Sequence, residues 1–105
     1  METIKSSKEI DLVFKNGEKI SFPFLNLIVD DKNNSISGKV AFIAGKKNGN
    51  AVWRNKSKRK LREVYQQINF KDEVKTLLIA NKKIDNFKIE EMVKEIEKKA
   101  KKYLK

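Results

Sequence analysis

Residues 46–62 read KKNGNAVWRNKSKRKLR, a stretch with eight Lys or Arg residues in seventeen positions and no acidic side chain. At ~100° per residue, a helix here places apolar residues on one side, namely Trp53, Leu61, Val64 and Ile68. The opposite side receives Arg54, Asn55, Lys58, Arg59 and Arg62. An ordinary surface helix mixes both signs of charge, because like charges at i,i+4 repel each other. A polyanion lying along this side would offset the repulsion, and arginine adds a planar fork that binds phosphate oxygens bidentately.

The whole chain is also strongly basic. Its 105 residues carry a formal net charge of +11, with 37% charged and 39% hydrophobic residues. This length and apolar content suit one folded domain, and the net charge points to a nucleic-acid partner. We therefore expect a single nucleic-acid-binding domain over residues 1–105. An organism that favours Lys, Asn and Ile would explain part of the charge, but not its concentration on one helix.

The chain has no cysteine and no histidine. Disulfides and Cys-based zinc sites are therefore excluded, and the usual general base and commonest metal ligand are missing. No apolar run approaches the ~20 residues that a membrane span needs, and the N-terminus has no signal-peptide pattern. We expect a cytoplasmic protein without a membrane partner, in which only Asp, Glu, Lys and Tyr could do chemistry.

The first half of the chain predicts one helix followed by strands. An apolar 3.6-residue pattern predicts a helix over about residues 6–16, which Gly17 can end in the left-handed conformation. Residues 19–29 and 36–44 are rich in β-branched and aromatic residues, which predicts a meander of about three strands. Pro23 should lie at a strand edge or between two short strands.

The second half predicts the basic helix, a buried strand and a last helix. Asn50 is expected to be the N-cap of a helix over about residues 50–67. The nearly continuous apolar run of residues 74–80 indicates a strand buried on both faces. A packing helix should begin at about Phe87, which gives the order α-β-β-β-α-β-α. A strand, a helix and then a buried strand favour a βαβ crossover in a partly parallel sheet.

The glycine-bearing loop KKNGN precedes the predicted start of the basic helix, where backbone N–H groups could cradle a phosphate. It lacks the Walker spacing and the following Lys-Ser/Thr, which disfavours nucleotide hydrolysis, while contacts to an RNA phosphate stay open. A protein-borne nuclease would need carboxylates gathered around Mg²⁺. No such cluster can be assembled from the sequence.

The residues around the basic helix resemble a known family, the bacterial ribonuclease P protein component. The matching positions form the segment known there as the RNR motif: Lys46-Lys47, Gly49-Asn50-Ala51-Val52, Arg54-Asn55-Lys56, Lys58-Arg59 and Arg62. Residues 13–17 also resemble the end of that family's first helix, and the agreement extends over about residues 4–104. The resemblance implies an α+β fold (an α/β sandwich, ribosomal protein S5 domain 2-like) with an unusual left-handed βαβ crossover. Pattern reasoning alone would choose the right-handed form.

The resemblance also implies a function. Such a protein is the subunit of a ribonucleoprotein whose RNA, with Mg²⁺ held mainly by the RNA and the substrate, removes the 5′ leader of precursor tRNA. We therefore expect ribonuclease P RNA and precursor tRNA as partners, no required protein partner, and no catalytic or metal-ligating side chain. Residues implied to bind the catalytic RNA are Lys46, Lys47, Arg54, Asn55, Lys56, Lys58, Arg59 and Arg62. Residues implied to line a leader cleft between the sheet and the basic helix are Phe14, Asn26 and Ile28.

Four positions depart from the family pattern. Lys56 stands where an arginine is usual, and Ser57 where an aliphatic residue is expected on the buried side. Ile10 and Ile28 stand where relatives often carry an aromatic residue. The alternative function is a non-catalytic RNA-binding module, of the ribosome-associated type, without a processing role. A self-sufficient nuclease is a third hypothesis, which purified protein alone would reveal.

Overall fold

The computed structural model describes residues 3–32 and 38–105, which form an α+β domain with three α-helices and one four-stranded sheet. In chain order the elements are α1 (Ser7–Asn16), β1 (Glu18–Ser21), β2 (Leu25–Asp30), β3 (Val40–Ile43), α2 (Ala51–Gln66), β4 (Lys75–Ala80) and α3 (Ile89–Lys99). The predicted order of elements is confirmed. No helix in this described part of the chain is long and apolar enough to cross a membrane.

The strands lie in the order β1-β2-β4-β3. The predicted meander is wrong in one respect, because β4 lies between β2 and β3 and pairs antiparallel with β2 and parallel with β3. Its apolar run is buried on both faces, which suits a central strand. The parallel pairing of β3 with β4, joined through α2, confirms the predicted crossover connection.

The two faces of the sheet carry separate hydrophobic clusters. The larger cluster lies between the sheet and the helices α2 and α3 and includes Leu27, Leu78, Leu61 and Ile96. The smaller cluster lies on the face that α1 covers and consists of Ile4, Val13, Ile28, Ala41 and Leu77. One face is therefore covered by two helices and the other by a single short helix.

Local details confirm most of the predicted boundaries. Pro23 lies in the turn between β1 and β2, which confirms the second of its two predicted positions, between two short strands. The strand predicted over residues 36–44 is observed as Val40–Ile43, and positions 36 and 37 lie outside the described residues.

The prediction for Gly17 is wrong, because its φ is −82° and the helix ends without a left-handed residue. Glycine is needed there for space, since a Cβ would lie 2.7 Å from the Ile28 side chain.

Candidate nucleic-acid interface

The basic helix α2 is oriented as its sequence pattern predicts. Ser57, Leu61 and Val64 are buried against the core. The predicted outer residues Asn55, Lys58, Arg59 and Arg62 are exposed, and Arg54 is half-buried. The positive side chains therefore lie on one continuous solvent-facing side.

The start of α2 is fixed by Asn50 and a tight turn before it. The Asn50 side chain accepts a hydrogen bond from the Trp53 backbone N–H at 2.9 Å, which confirms the predicted N-cap. A Cβ at Gly49 would lie 2.7 Å from the Trp53 ring, so the close approach of this ring requires glycine. The preceding 3-10 turn places Lys46 and Lys47 in solvent beside the helix N-terminus.

Two contacts show which way the flanks of α2 face. The Arg62 guanidinium lies 5.7 Å from the ring centroid of Phe42 on β3, so the row formed with Arg54 and Lys58 at four-residue spacing faces the β3 edge. On the other flank, Lys60 Nζ donates to the Ile84 carbonyl at 3.1 Å. Lys56 lies one turn before Lys60 and is exposed on that second flank, apart from the row facing β3.

Within the described parts of the chain, no carboxylate forms an ion pair with a cation of α2. Among residues 3–32 and 38–105, the ion pairs join Lys98 with Glu95, Lys102 with Glu18, and Lys105 with Asp72, all outside α2. A solvated face of both signs would pair its charges along the helix. The outer side of α2 instead keeps its cations available for an external anion.

The residues predicted to line the leader cleft lie on the sheet face opposite α2. Phe14 projects from α1 with 52% of its surface exposed, and the Lys19 ammonium lies 5.9 Å from its ring centroid. Asn26 is half-buried. Alternation along β2 turns Leu27 towards α2 and α3, and turns Ile28 and Asn26 towards the α1 side. The prediction that these residues line a cleft between the sheet and the basic helix is therefore wrong. Phe14 and Asn26 instead belong to a partly exposed surface beside α1, which we call the open surface.

Ile28 does not offer a surface at this site. Its side chain is 1% exposed and packs in the small cluster beneath α1. The close approach of Gly17 to this side chain explains its burial, since the end of α1 lies directly on it.

Two residues that sequence reasoning missed complete the open surface. Ile79 on β4 pairs with Asn26 on one side and with Ile43 on β3 on the other, so the three form a row across the sheet. All three are half-buried, because this row lies beyond the residues that α1 covers. The predicted meander concealed the row, and nothing within the apolar run of β4 distinguishes Ile79 from its buried neighbours.

Two further observations concern chemistry within the chain. Among the described residues, no three His, Cys, Asp or Glu side chains form a group that could hold a metal ion. Ser57 is fully buried on the inner side of α2, and its hydroxyl oxygen has no hydrogen-bond partner among residues 3–32 and 38–105. Where the family pattern has an aliphatic residue, this chain thus buries a polar group among apolar neighbours.

Comparison with known proteins gives consistent matches. A family model described as Ribonuclease P matches residues 1–104. The ribonuclease P protein component of Natranaerobius thermophilus is 39% identical over 67 residues, which are 64% of this chain and 57% of that protein. That of Nitratiruptor sp. is 35% identical over 68 residues, 64% of this chain and 59% of that protein. The matched segments thus span little more than half of these two relatives.

A solved structure shares the fold. The RNase P protein of Staphylococcus aureus matches with a TM-score of 0.78 at 22% identity, covering 100% of this chain and 99% of that one.

Proposed function

Because the chain belongs to the ribonuclease P protein family, we propose that it is the protein subunit of ribonuclease P and assists removal of the 5′ leader from precursor tRNA. One observation carries this proposal. The outer side of α2 holds cations that no described carboxylate pairs with, beside a helix N-terminus that itself attracts anions. A catalytic RNA supplies the missing anions as a line of phosphates.

The proposed contacts to the catalytic RNA follow the position of each side chain. Lys58 and Arg62, with Arg54, bind phosphates along the flank facing β3, and Arg59 and Asn55 extend the surface outward. Lys46 and Lys47 continue it past the N-terminus of α2, while Lys56 contributes from the second flank. Charged hydrogen bonds of this kind contribute about 1.5–3 kcal/mol each.

The proposed leader site is the open surface beside α1. Its floor is the row of Asn26, Ile79 and Ile43, and Phe14 stands at its margin with Lys19 nearby. Unpaired bases stack on such aromatic groups with about 1–3 kcal/mol each and little sequence preference. Ile28 supports α1 from below and makes no leader contact in this proposal.

Both surfaces reach the same edge strand. Arg62 lies against Phe42 on one side of β3, and Ile43 belongs to the row on its other side. An RNA bound along α2 and a leader lying beside α1 would therefore meet around β3.

The proposal assigns hydrolysis to the RNA partner. In this proposal, Mg²⁺ is bound by the catalytic RNA and the substrate. The proposed place of action is the cytoplasm.

Cleavage of a precursor tRNA by a bacterial ribonuclease P RNA at low Mg²⁺, with and without this protein, tests the proposal. We expect strong stimulation by the protein and no cutting by the protein alone. Tight RNA binding without stimulation would contradict the proposal and favour a non-catalytic RNA-binding module. Cutting by RNA-free protein would favour a nuclease instead.

A further inference from the structure

A line of aromatic contacts runs from the core to one cation of α2. Phe70, at the margin of the core, stacks on Tyr65 with ring centroids 5.5 Å apart. Tyr65 meets Phe42 edge-to-face at 5.8 Å, and the Arg62 guanidinium lies 5.7 Å from the centroid of the Phe42 ring. Each side chain packs on the one before it, so Phe42 is supported by Tyr65 and Phe70. The last member, Arg62, is exposed and contacts this supported ring.

This neighbour changes what Arg62 can do. A free arginine side chain samples many rotamers and loses that freedom when it binds a phosphate. A guanidinium attracted to an aromatic ring is partly ordered in advance, and its N–H donors lie in its own plane, where a phosphate can reach them. The other cation–ring contacts in the described parts of the chain involve lysines outside α2. Arg62 therefore differs from Lys58 and Arg59 in having this support.

We propose that Phe42 is a positioning residue that holds the Arg62 guanidinium ready for a phosphate of the catalytic RNA. The inference rests on the proposed function, since it concerns the same partner. If Phe42 only packs, a leucine of similar apolar character should preserve RNA affinity. If the Phe42 ring positions Arg62, only another aromatic residue should preserve it.

A double-mutant cycle separates these roles. Affinity for a bacterial ribonuclease P RNA is measured for the wild type, Phe42→Leu, Arg62→Ala and the double variant, at a temperature well below the unfolding midpoint of each. We expect Phe42→Leu to weaken binding about two- to fivefold when Arg62 is present, as the loss of a surface cation–π contact would. In the Arg62→Ala background the same change should have no further effect, and Phe42→Tyr should bind like the wild type.

Two results would overturn the inference. Equal weakening by Phe42→Leu in both backgrounds would show a packing role that does not act through Arg62, and wild-type affinity of Phe42→Leu would show no role at all. Either result leaves the proposed function in place, provided the wild type binds the RNA and stimulates cleavage. Failure of the wild type in those two assays would contradict the proposed function itself.

Discussion

The helices α2 and α3 lie against each other over the same face of the sheet, yet they use their charges differently. α3 has Glu90 and Glu91 in its first turn and Lys98 and Lys99 in its last turn, which matches the helix dipole. Its Glu91 carboxylate accepts a hydrogen bond from the Lys88 backbone N–H at 3.0 Å. The charges of α3 therefore stabilise α3.

The charges of α2 do nothing comparable for their own helix. Its first turn has no acidic residue and its last turn no basic residue. Lys46 and Lys47 lie beside its N-terminus, where the dipole favours anions. Since both helices are rich in lysine or arginine, composition alone does not reveal a binding surface. The informative property is whether the charges are satisfied inside the molecule.

The largest expected effect comes from neutralising the flank of α2 that faces β3. Replacing Arg54, Lys58 and Arg62 together by alanine should weaken binding to a ribonuclease P RNA by about 3 kcal/mol or more, because each lost charged hydrogen bond costs about 1.5–3 kcal/mol. Filter binding or fluorescence anisotropy at fixed salt measures the loss.

The matched control, called the α3 triple variant, removes the same charge from α3 and from the 3-10 turn that follows it, by replacing the exposed Lys94, Lys98 and Lys101 with alanine. We expect this variant to lose less than about 1 kcal/mol, as solvent-screened charges do. Equal losses in the two triple variants would mean that net charge, and not the position of the cations, determines binding.

Two single substitutions sharpen the contrast within α2. Arg59→Ala should weaken RNA binding by about 1–3 kcal/mol through the lost phosphate contact. Lys56→Ala should cost less, because Lys56 lies on the second flank and lacks the planar fork. Titrations of the two variants against one RNA give this difference, and equal binding by Arg59→Ala and the wild type would remove Arg59 from the proposed surface.

Phe14→Ala tests the surface on the opposite face of the sheet. We expect binding of leader-bearing precursor tRNA to weaken by about 1–2 kcal/mol through loss of base stacking, while binding of mature tRNA stays unchanged. Because Phe14 is 52% exposed, its truncation leaves the cluster beneath α1 in place. Parallel titrations of the holoenzyme with both tRNAs decide the question, and an equal loss for the two would make Phe14 a structural residue.

The smallest expected effect concerns the buried sides of the two helices. The buried side chains of α3 are all apolar, whereas α2 buries the unpartnered hydroxyl of Ser57. Ser57→Ala removes this unsatisfied group and improves helix propensity, so the free energy of unfolding should rise by about 1 kcal/mol. Chemical denaturation of the two proteins measures the change, and a less stable variant would show that the hydroxyl has a partner in solution.

Local signals made α2 predictable from the sequence. The 3.6-residue period sorts its buried and exposed residues, and the Asn50 cap and Gly49 lie within one turn of its start. The residue patterns along the chain predicted the order of elements. The resemblance to the family, carried mainly by the same segment, implied the partner RNA.

The strand order and the burial of single strand residues depend on long-range contacts, which the sequence did not show. β3 lies beside β4 because of a crossover, and no feature of β2 or β3 alone excludes the meander. Ile28 and Ile79 are both isoleucines in apolar strands, yet one is buried and the other lies in the open row. The difference arises from where α1 ends, and Gly17, which permits that approach, is explained only by the contact it makes.

The salt dependence of affinity for a ribonuclease P RNA tests most directly whether the cations of α2 contact phosphates. The slope of log K against log salt concentration is compared among the wild type, the α2 triple variant and the α3 triple variant. We expect the slope to fall by about one unit for each α2 cation that contacts a phosphate, about two to three units in all. The α3 variant should keep the wild-type slope to within about half a unit, since its lysines make no phosphate contact. Equal slopes for the two variants would contradict the account.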